Sequence, residues 1–322
     1  MKDQEGIQLT VKANAGLHRF AIILACLTVV LLAAGALVTS NEAGDSVPDW
    51  PLSFGRWLVS GDHFVANVRY EYSHRFIAGI VGAATFLLAV SVWLADRRRW
   101  MRRLVLVVFA GVVAQAVIGG VRVYFPEYKA LIAVPHALVA QSFFGAVVAL
   151  AVFTSRSWLA AREVRLDQGK PPLRTLTAVT VAAVLIQLVL GAGFRHQAFG
   201  IVPHVIGAVA VAGLIVWTSI VVLRRHKNDD YLTRPAWFAA VLLVAQLSLG
   251  IGAYFARVAS AGDPQPLEPM ISLTVAHLVV GALTLATMIV LTLRCHRALA
   301  EPAAEALLQA DVVQAASLRP VA

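Results

Sequence analysis

Long apolar stretches alternate with short polar segments along most of the chain. Eight stretches reach about 20 residues, the length at which an α-helix crosses a hydrocarbon core of ~30 Å. The pattern predicts eight transmembrane helices, at about residues 18–39, 74–95, 103–124, 133–154, 174–195, 202–223, 236–257 and 271–293. The first apolar run, Phe20 to Val38, exceeds the ~7–15 residues of a signal-peptide core, so we expect this helix to be retained.

The composition argues against a soluble globule, since 59% of the 322 residues are hydrophobic and only 14% are charged. The net charge of +9 would suit a nucleic-acid partner, but the basic residues segregate by loop. Loops on the side of the N-terminus carry 20 of the 27 Lys and Arg residues. This distribution predicts a lipid-embedded inner-membrane protein with both termini in the cytoplasm and without a nucleic-acid partner.

A short pattern recurs at the outer ends of successive helix pairs, on the side opposite the N-terminus, and indicates an internal repeat. A Gln stands four positions before a Gly, and a histidine follows near the start of the next helix. Val-Pro-His occurs at 134–136 and again at 202–204, where proline suits a helix start. The repeat predicts an all-α membrane protein with two pseudo-repeated four-helix bundles, residues 1–165 and 166–322. The pairs are Gln115 with Gly119, Gln187 with Gly191 and Gln246 with Gly250, with Leu31 and Gly35 as a weaker copy; the histidines are His74, His136, His204 and His277.

Histidine inside a membrane span is costly enough to indicate a function. In an up-down bundle the second and fourth helices are diagonal and about 12–14 Å apart, so two histidines at equal depth leave a slot between them. The slot suits a flat macrocycle with an imidazole on each face, whereas zinc would prefer further ligands that do not recur there. We therefore predict two haem sites. The axial iron ligands are His74 and His136 in the first half, and His204 and His277 in the second.

Several other polar residues near the outer helix ends are open to two interpretations. Arginines there either meet the propionates of bound haem or snorkel to the membrane interface. They are Arg75, Arg122, Arg195 and Arg257. We expect His63 and His196, in or beside outer loops, to be solvated or interfacial.

The two halves differ at one acidic position. Glu71 stands three residues before His74, and no acid stands at this position before the other three histidines. On a helix this spacing puts both side chains on one face. In an apolar pocket such a carboxyl group would exchange protons at neutral pH. The alternative is a first-turn glutamate favoured by the helix dipole.

Two local motifs carry a family resemblance. The segment Glu71-Tyr72-Ser73-His74-Arg75 resembles the E-x-x-H-R signature of the haem A synthase family, and Val47-Pro48-Asp49-Trp50-Pro51-Leu52 is similar to its P-D-W-P-L loop. The likeness extends over about residues 15–297. It implies a multi-pass enzyme of the bacterial cell membrane, an oxidoreductase that converts the C8 methyl group of haem O to a formyl group. Successive hydroxylations and loss of water would give haem A for terminal oxidases.

The resemblance also implies residue roles. His74, His136 and Arg75 would bind the substrate haem, Glu71 would be the catalytic acid, and His204 and His277 would ligate a haem b cofactor. The electron donor stays unidentified, and association with haem O synthase or with a second copy stays open. Many members carry a cysteine directly after P-D-W-P-L, where this chain has Ser53, which puts any cysteine-dependent step in question.

The rival interpretation is a di-haem b-type membrane cytochrome that transfers electrons without catalysis of its own. Haems that carry electrons across a bilayer should lie near opposite faces, whereas all four histidines are predicted near one face. Glu71 also has no counterpart in the second half, an asymmetry that a symmetric carrier would not need. A transporter is disfavoured because the repeats run parallel and the polar groups lie near the outer surface instead of the midplane.

Overall fold

The computed structural model describes residues 14–59, 61–261 and 267–300. Within them, eight helices are long and apolar enough to cross a membrane, which confirms the predicted all-α membrane fold. They are α1 (Ala15–Ser40), α2 (Val68–Ala95), α3 (Arg99–Tyr124), α4 (Lys129–Thr154), α6 (Leu173–Arg195), α7 (Val202–Arg225), α8 (Asp230–Ala259) and α9 (Glu268–Ala298). The extreme ends of the two predicted halves, residues 1–13 and 301–322, lie outside the described residues.

The remaining elements are short and lie between the long helices. Helix α5 (Arg156–Leu159) follows α4, and 3-10 turns occupy Gly61–His63 and Pro126–Tyr128. Strands β1 (Arg165–Leu166) and β2 (Leu299–Ala300) pair in parallel. This pairing joins the linker between the two halves to the end of α9.

The long helices pack as two four-membered rings, α1 to α4 and α6 to α9. In each ring, helices that follow each other in the chain are neighbours, and the first helix closes against the last. As the hairpin order predicts, α2 is therefore diagonal to α4, and α7 to α9. Leu24 and Leu88 belong to the core of the first ring, and Ile215 and Leu285 to that of the second. The four histidines lie on the outer side of these cores.

The two rings meet along α1, α4, α6 and α9. Phe144 and Val148 of α4 form a buried cluster with Ala282 of α9. At Gly145 an added Cβ would lie 2.7 Å from Cδ1 of Ile289, so a small residue is needed for this close approach. The rings are therefore in direct contact along their length.

Several helices begin earlier than the apolar pattern predicts, α2 and α8 by six residues each and α4 by four. Helix α2 begins at Val68 and α4 at Lys129. Pro203 is the second residue of α7, as predicted for a helix start, but Pro135 lies inside α4. The 3-10 turn that precedes α4 already has helical form, so the helix begins before Pro135. The proline therefore removes only a single backbone hydrogen bond from α4.

Candidate functional site

Each of the four histidines packs its ring on a glycine of the preceding helix. A Cβ added at Gly35 of α1 would lie 3.0 Å from Cε1 of His74, and one at Gly119 of α3 would lie 3.7 Å from Cε1 of His136. A side chain at Gly35 would press against the imidazole, whereas at Gly119 an added methyl group would make an ordinary van der Waals contact. The second ring repeats the arrangement, at 3.0 Å for Gly191 and His204 and at 2.8 Å for Gly250 and His277.

Three of these glycines have a glutamine four positions earlier, and that glutamine contacts the same histidine. In the second ring, Nδ1 of His277 lies 3.1 Å from the backbone carbonyl oxygen of Gln246. Nε2 of Gln187 lies 3.0 Å from Nδ1 of His204 and donates to its backbone carbonyl at 2.9 Å. Hydrogen bonds of this kind fix the orientation of a metal-binding imidazole. The sequence shows the Gln–Gly spacing but not this role, because the contact crosses between two helices.

His204 and His277 face each other across the second ring. Their ring centroids are 6.2 Å apart, and the ring planes are inclined by 78°. A metal–imidazole bond is about 2 Å long and the ring centre lies about 1 Å beyond the nitrogen, so two imidazoles on opposite sides of one ion have centroids about 6 Å apart. Both side chains are half-buried. This separation would allow the two imidazoles to bind one haem iron from opposite sides.

The donor set argues against a zinc-type centre. Among residues 14–59, 61–261 and 267–300, no group of three or more His, Cys, Asp or Glu side chains is arranged to hold a metal ion. A structural zinc site needs four such ligands and a catalytic one about three. Haem brings four nitrogens of its own and needs only axial ligands from the protein, which the histidine pairs could supply.

His74 and His136 form the corresponding pair of the first ring, and they are close enough to interact electrostatically. The side-chain amide of Gln115 donates to the backbone carbonyl of His136 at 2.8 Å. His74 approaches the carbonyl of Leu31. However, the buried Nδ1 atoms of both histidines have no partner with good hydrogen-bond geometry in the described parts of the chain. The protein thus holds the imidazoles of the first histidine pair less firmly than those of the second.

Glu71 lies one turn outside His74 and is buried, with 5% of its surface exposed. Its Oε2 accepts hydrogen bonds from the backbone N–H groups of Ser46 and Val47, at 2.8 and 3.0 Å. Its Oε1 accepts from Nη2 of Arg75 at 2.6 Å. The carboxyl group therefore joins the histidine helix to the loop between α1 and α2.

The side chain of Arg75 binds backbone carbonyl groups of the same loop. Nη1 donates to the carbonyl oxygens of Asp49 and Leu52, at 2.5 and 3.1 Å, and Nη2 donates to that of Val47 at 3.3 Å. These contacts place the P-D-W-P-L segment beside His74. Arg75 thereby supports a wall of the first histidine site.

The first part of this loop, residues 41–57, closes the outer end of the first ring, and we call it the lid. The ring of Trp50 covers Gly120 of α3, where an added Cβ would lie 2.5 Å from Cδ2 of the indole. The hydroxyl of Tyr124 donates to the carbonyl of Trp50 at 2.5 Å. Arg122 donates to the carbonyl of Gly44 at 2.6 Å. The lid is thus attached to α3 as well as to α2.

His196, beside the end of α6, is less exposed than the sequence indicates. It is half-buried, and burial together with the charges of Arg195 and Arg122 and the neighbouring His136 lowers its pKa from 6.5 to about 4. Its imidazole is therefore uncharged at neutral pH. Sequence reasoning missed this position because its neighbours come from both rings.

Comparison with known proteins matches residues 18–203 to the cytochrome oxidase assembly protein family. Several curated relatives bear the name heme A synthase. That of Alkalihalophilus pseudofirmus is 31% identical over 137 residues, covering 41% of this chain and 44% of the relative. That of Halalkalibacterium halodurans is 30% identical over 162 residues, covering 48% and 49%. That of Geobacillus kaustophilus is 24% identical over 254 residues, covering 71% and 78%.

The chain thus spans about half the length of the first two relatives and most of the third. The family match covers more than half of this chain and runs from α1 to the start of α7. It includes the lid, Glu71 and the first histidine pair. The chain therefore belongs to the cytochrome oxidase assembly protein family.

Proposed function

We propose that this chain is a haem A synthase, a membrane-bound oxidoreductase that converts the C8 methyl group of haem O to the formyl group of haem A. The names of its relatives support this activity. The observation that carries the proposal is the asymmetry of the two histidine pairs. Among the described residues, only the first pair has a buried carboxyl group one turn away, and this group is bonded to the lid. A symmetric electron carrier would need neither feature.

In this proposal the second ring holds haem b as the resident cofactor. His204 and His277 would be its axial ligands, as their centroid separation of 6.2 Å supports. Haem b would supply one-electron transfer when bound. The chain itself fixes the two imidazoles through Gln187 and Gln246. Hydrogen bonds to a metal-binding histidine raise its basicity and its affinity for the metal.

The first ring would hold haem O as the substrate. His74 and His136 would orient its macrocycle from the two faces. Their buried Nδ1 atoms lack hydrogen-bond partners within the described residues, a looser arrangement that suits a ligand that must enter and leave. Arg75 would act by holding the lid, which excludes water from the reacting methyl group. Glu71 would hold or transfer a proton at its carboxyl oxygens during the oxidation.

We also propose that both termini lie in the cytoplasm of a bacterial cell, with the histidine pairs near the opposite face of its membrane. The support is the placement of 20 of the 27 Lys and Arg residues on the N-terminal side. A reporter enzyme fused after Ala322 should be active only in the cytoplasm. Periplasmic activity of the fusion would reverse the position of every histidine.

The activity is tested in cells that make haem O but have no haem A synthase of their own. Expression of this chain is expected to produce haem A in the extracted pigments, and the purified protein should carry haem b. The matched control is the His74→Ala variant, which lacks one contact to the substrate but keeps the second pair. Two equal haem b sites and no haem A would instead favour the electron carrier and overturn the proposal.

A further inference from the structure

Arg195 carries a charge that no carboxylate among the described residues neutralises. It ends α6 and is largely buried. Its Nη2 donates to the carbonyl oxygen of Ala36 at 2.9 Å and to Oγ of Ser40 at 2.7 Å. Both acceptors are uncharged and belong to α1 of the other ring. A buried guanidinium with only neutral partners is costly unless an anion joins it.

A second arginine lies beside the first. Arg257, near the outer end of α8, is close enough to act electrostatically on Arg195, and its guanidinium lies 5.2 Å from the centre of the Phe194 ring. Within residues 14–59, 61–261 and 267–300, neither arginine forms an ion pair with a carboxylate. A largely buried arginine with an exposed arginine close beside it concentrates positive charge at this point, which indicates a site for an anionic ligand.

The two arginines stand on the outer side of the second histidine pair. Arg195 comes one turn after Gly191, and Arg257 comes two turns after Gly250, the two glycines on which the histidines pack. Positions separated by four and by seven residues share a helix face. Arg195 also acts electrostatically on His277. Both guanidinium groups are therefore near the outer edge of the slot between the imidazoles.

We propose that Arg195 and Arg257 bind the two propionate carboxylates of the haem b held by the second histidine pair, an inference that rests on the proposed function. Haem carries both carboxylates on one edge, and a guanidinium group forms charge-assisted, often bidentate hydrogen bonds with a carboxylate. The contacts of Arg195 with α1 use Nη2. Nη1 and Nε are the donors for the ligand.

Arg195 also connects this site to the substrate side. Its acceptor Ala36 directly follows Gly35, on which His74 packs. A propionate bound to Arg195 is therefore linked through one side chain to the wall of the first histidine pair.

The test compares haem b with its dimethyl ester, in which both propionates are uncharged. The full chain carries His74→Ala and His136→Ala, so that only the second pair binds the probe, and affinities are measured by absorbance titration of the apoprotein. Haem b is expected to bind about 10–100-fold more tightly than the ester, the usual range for hydrogen bonds to charged groups. Arg195→Gln should remove most of this preference by weakening haem b alone, and Arg257→Gln should act in the same direction.

Two control variants separate ligand binding from support of the fold. Ser40→Ala removes an acceptor in α1 but keeps both guanidinium groups, and Arg234→Gln removes an exposed arginine of α8 far from the histidines. Both should keep the preference for haem b. Equal weakening of haem b and ester by Arg195→Gln would overturn the carboxylate site, as would equal affinities before that substitution. A wild-type chain that neither binds haem b nor converts haem O would overturn the proposed function instead.

Discussion

His277→Ala is expected to remove most of the low-spin haem b from the purified protein, and His204→Ala should do the same. The imidazoles of His204 and His277 face each other with centroids 6.2 Å apart, so both are placed to ligate one iron. A single imidazole holds a haem less firmly, and within the described residues no third His, Cys, Asp or Glu side chain joins the pair. The measurement is the absorbance spectrum and the haem extracted per mole of protein. A pigment that survives both replacements unchanged would show that the ligand assignment is wrong.

A gentler variant checks that the geometry, and not only the identity, of this ligand matters. Gly250→Ala would bring a Cβ within 2.8 Å of Cε1 of His277, so the ring would have to move. Disturbing the support of a metal ligand typically lowers metal affinity by about 10–100-fold, and we expect a loss of haem b near the lower figure. The matched control is Gly213→Ala in α7, where nothing lies within 4 Å of the added atom. This variant should retain its haem.

The spans and the histidine pairs are predictable because both follow from a period along one helix. Apolar runs of sufficient length predict the eight spans, and the recurrence of Gln, Gly and His predicts which helices carry polar groups at one depth. The sequence does not show why a glycine is needed at position 250. The reason appears only when α8 and α9 are packed, since the glycine is needed for the ring of a residue 27 positions later, His277.

The lid and the contact between the rings could not be predicted in this way. Glu71 and Arg75 bind backbone groups of an irregular loop, and such contacts leave no periodic pattern. Arg195 bonds to α1 across 155 residues of sequence at Ser40, so its partner depends on how two separately patterned rings meet. For the same reason His196 reads as a solvated residue, whereas its surroundings combine Arg122 and His136 of the first ring with Arg195.

Glu71→Gln is expected to reduce haem A production by at least about 100-fold, the lower end of typical general acid–base contributions. The amide keeps the size of the side chain and one acceptor oxygen for Ser46 and Val47, but it cannot exchange the carboxyl proton. Haem b in the second ring should stay. The measurement is the amount of haem A, haem O and hydroxylated intermediate in membranes whose only copy is this variant. Haem O or its alcohol should accumulate.

The structure supplies a rival explanation that this experiment must separate, because Glu71 also anchors the lid. Asp49→Asn is the matched variant, since the carboxylate of Asp49 accepts from the N–H groups of Phe54 and Gly55 at 2.7 Å and so supports the lid through hydrogen bonds that involve neither Glu71 nor His74. If the proton is what matters, Asp49→Asn should lower haem A far less than Glu71→Gln. Equal losses in both variants would make Glu71 a residue that positions the lid. Normal haem A in Glu71→Gln would leave it the helix-dipole role alone, since the carboxyl group would then serve neither the chemistry nor the closure of the site.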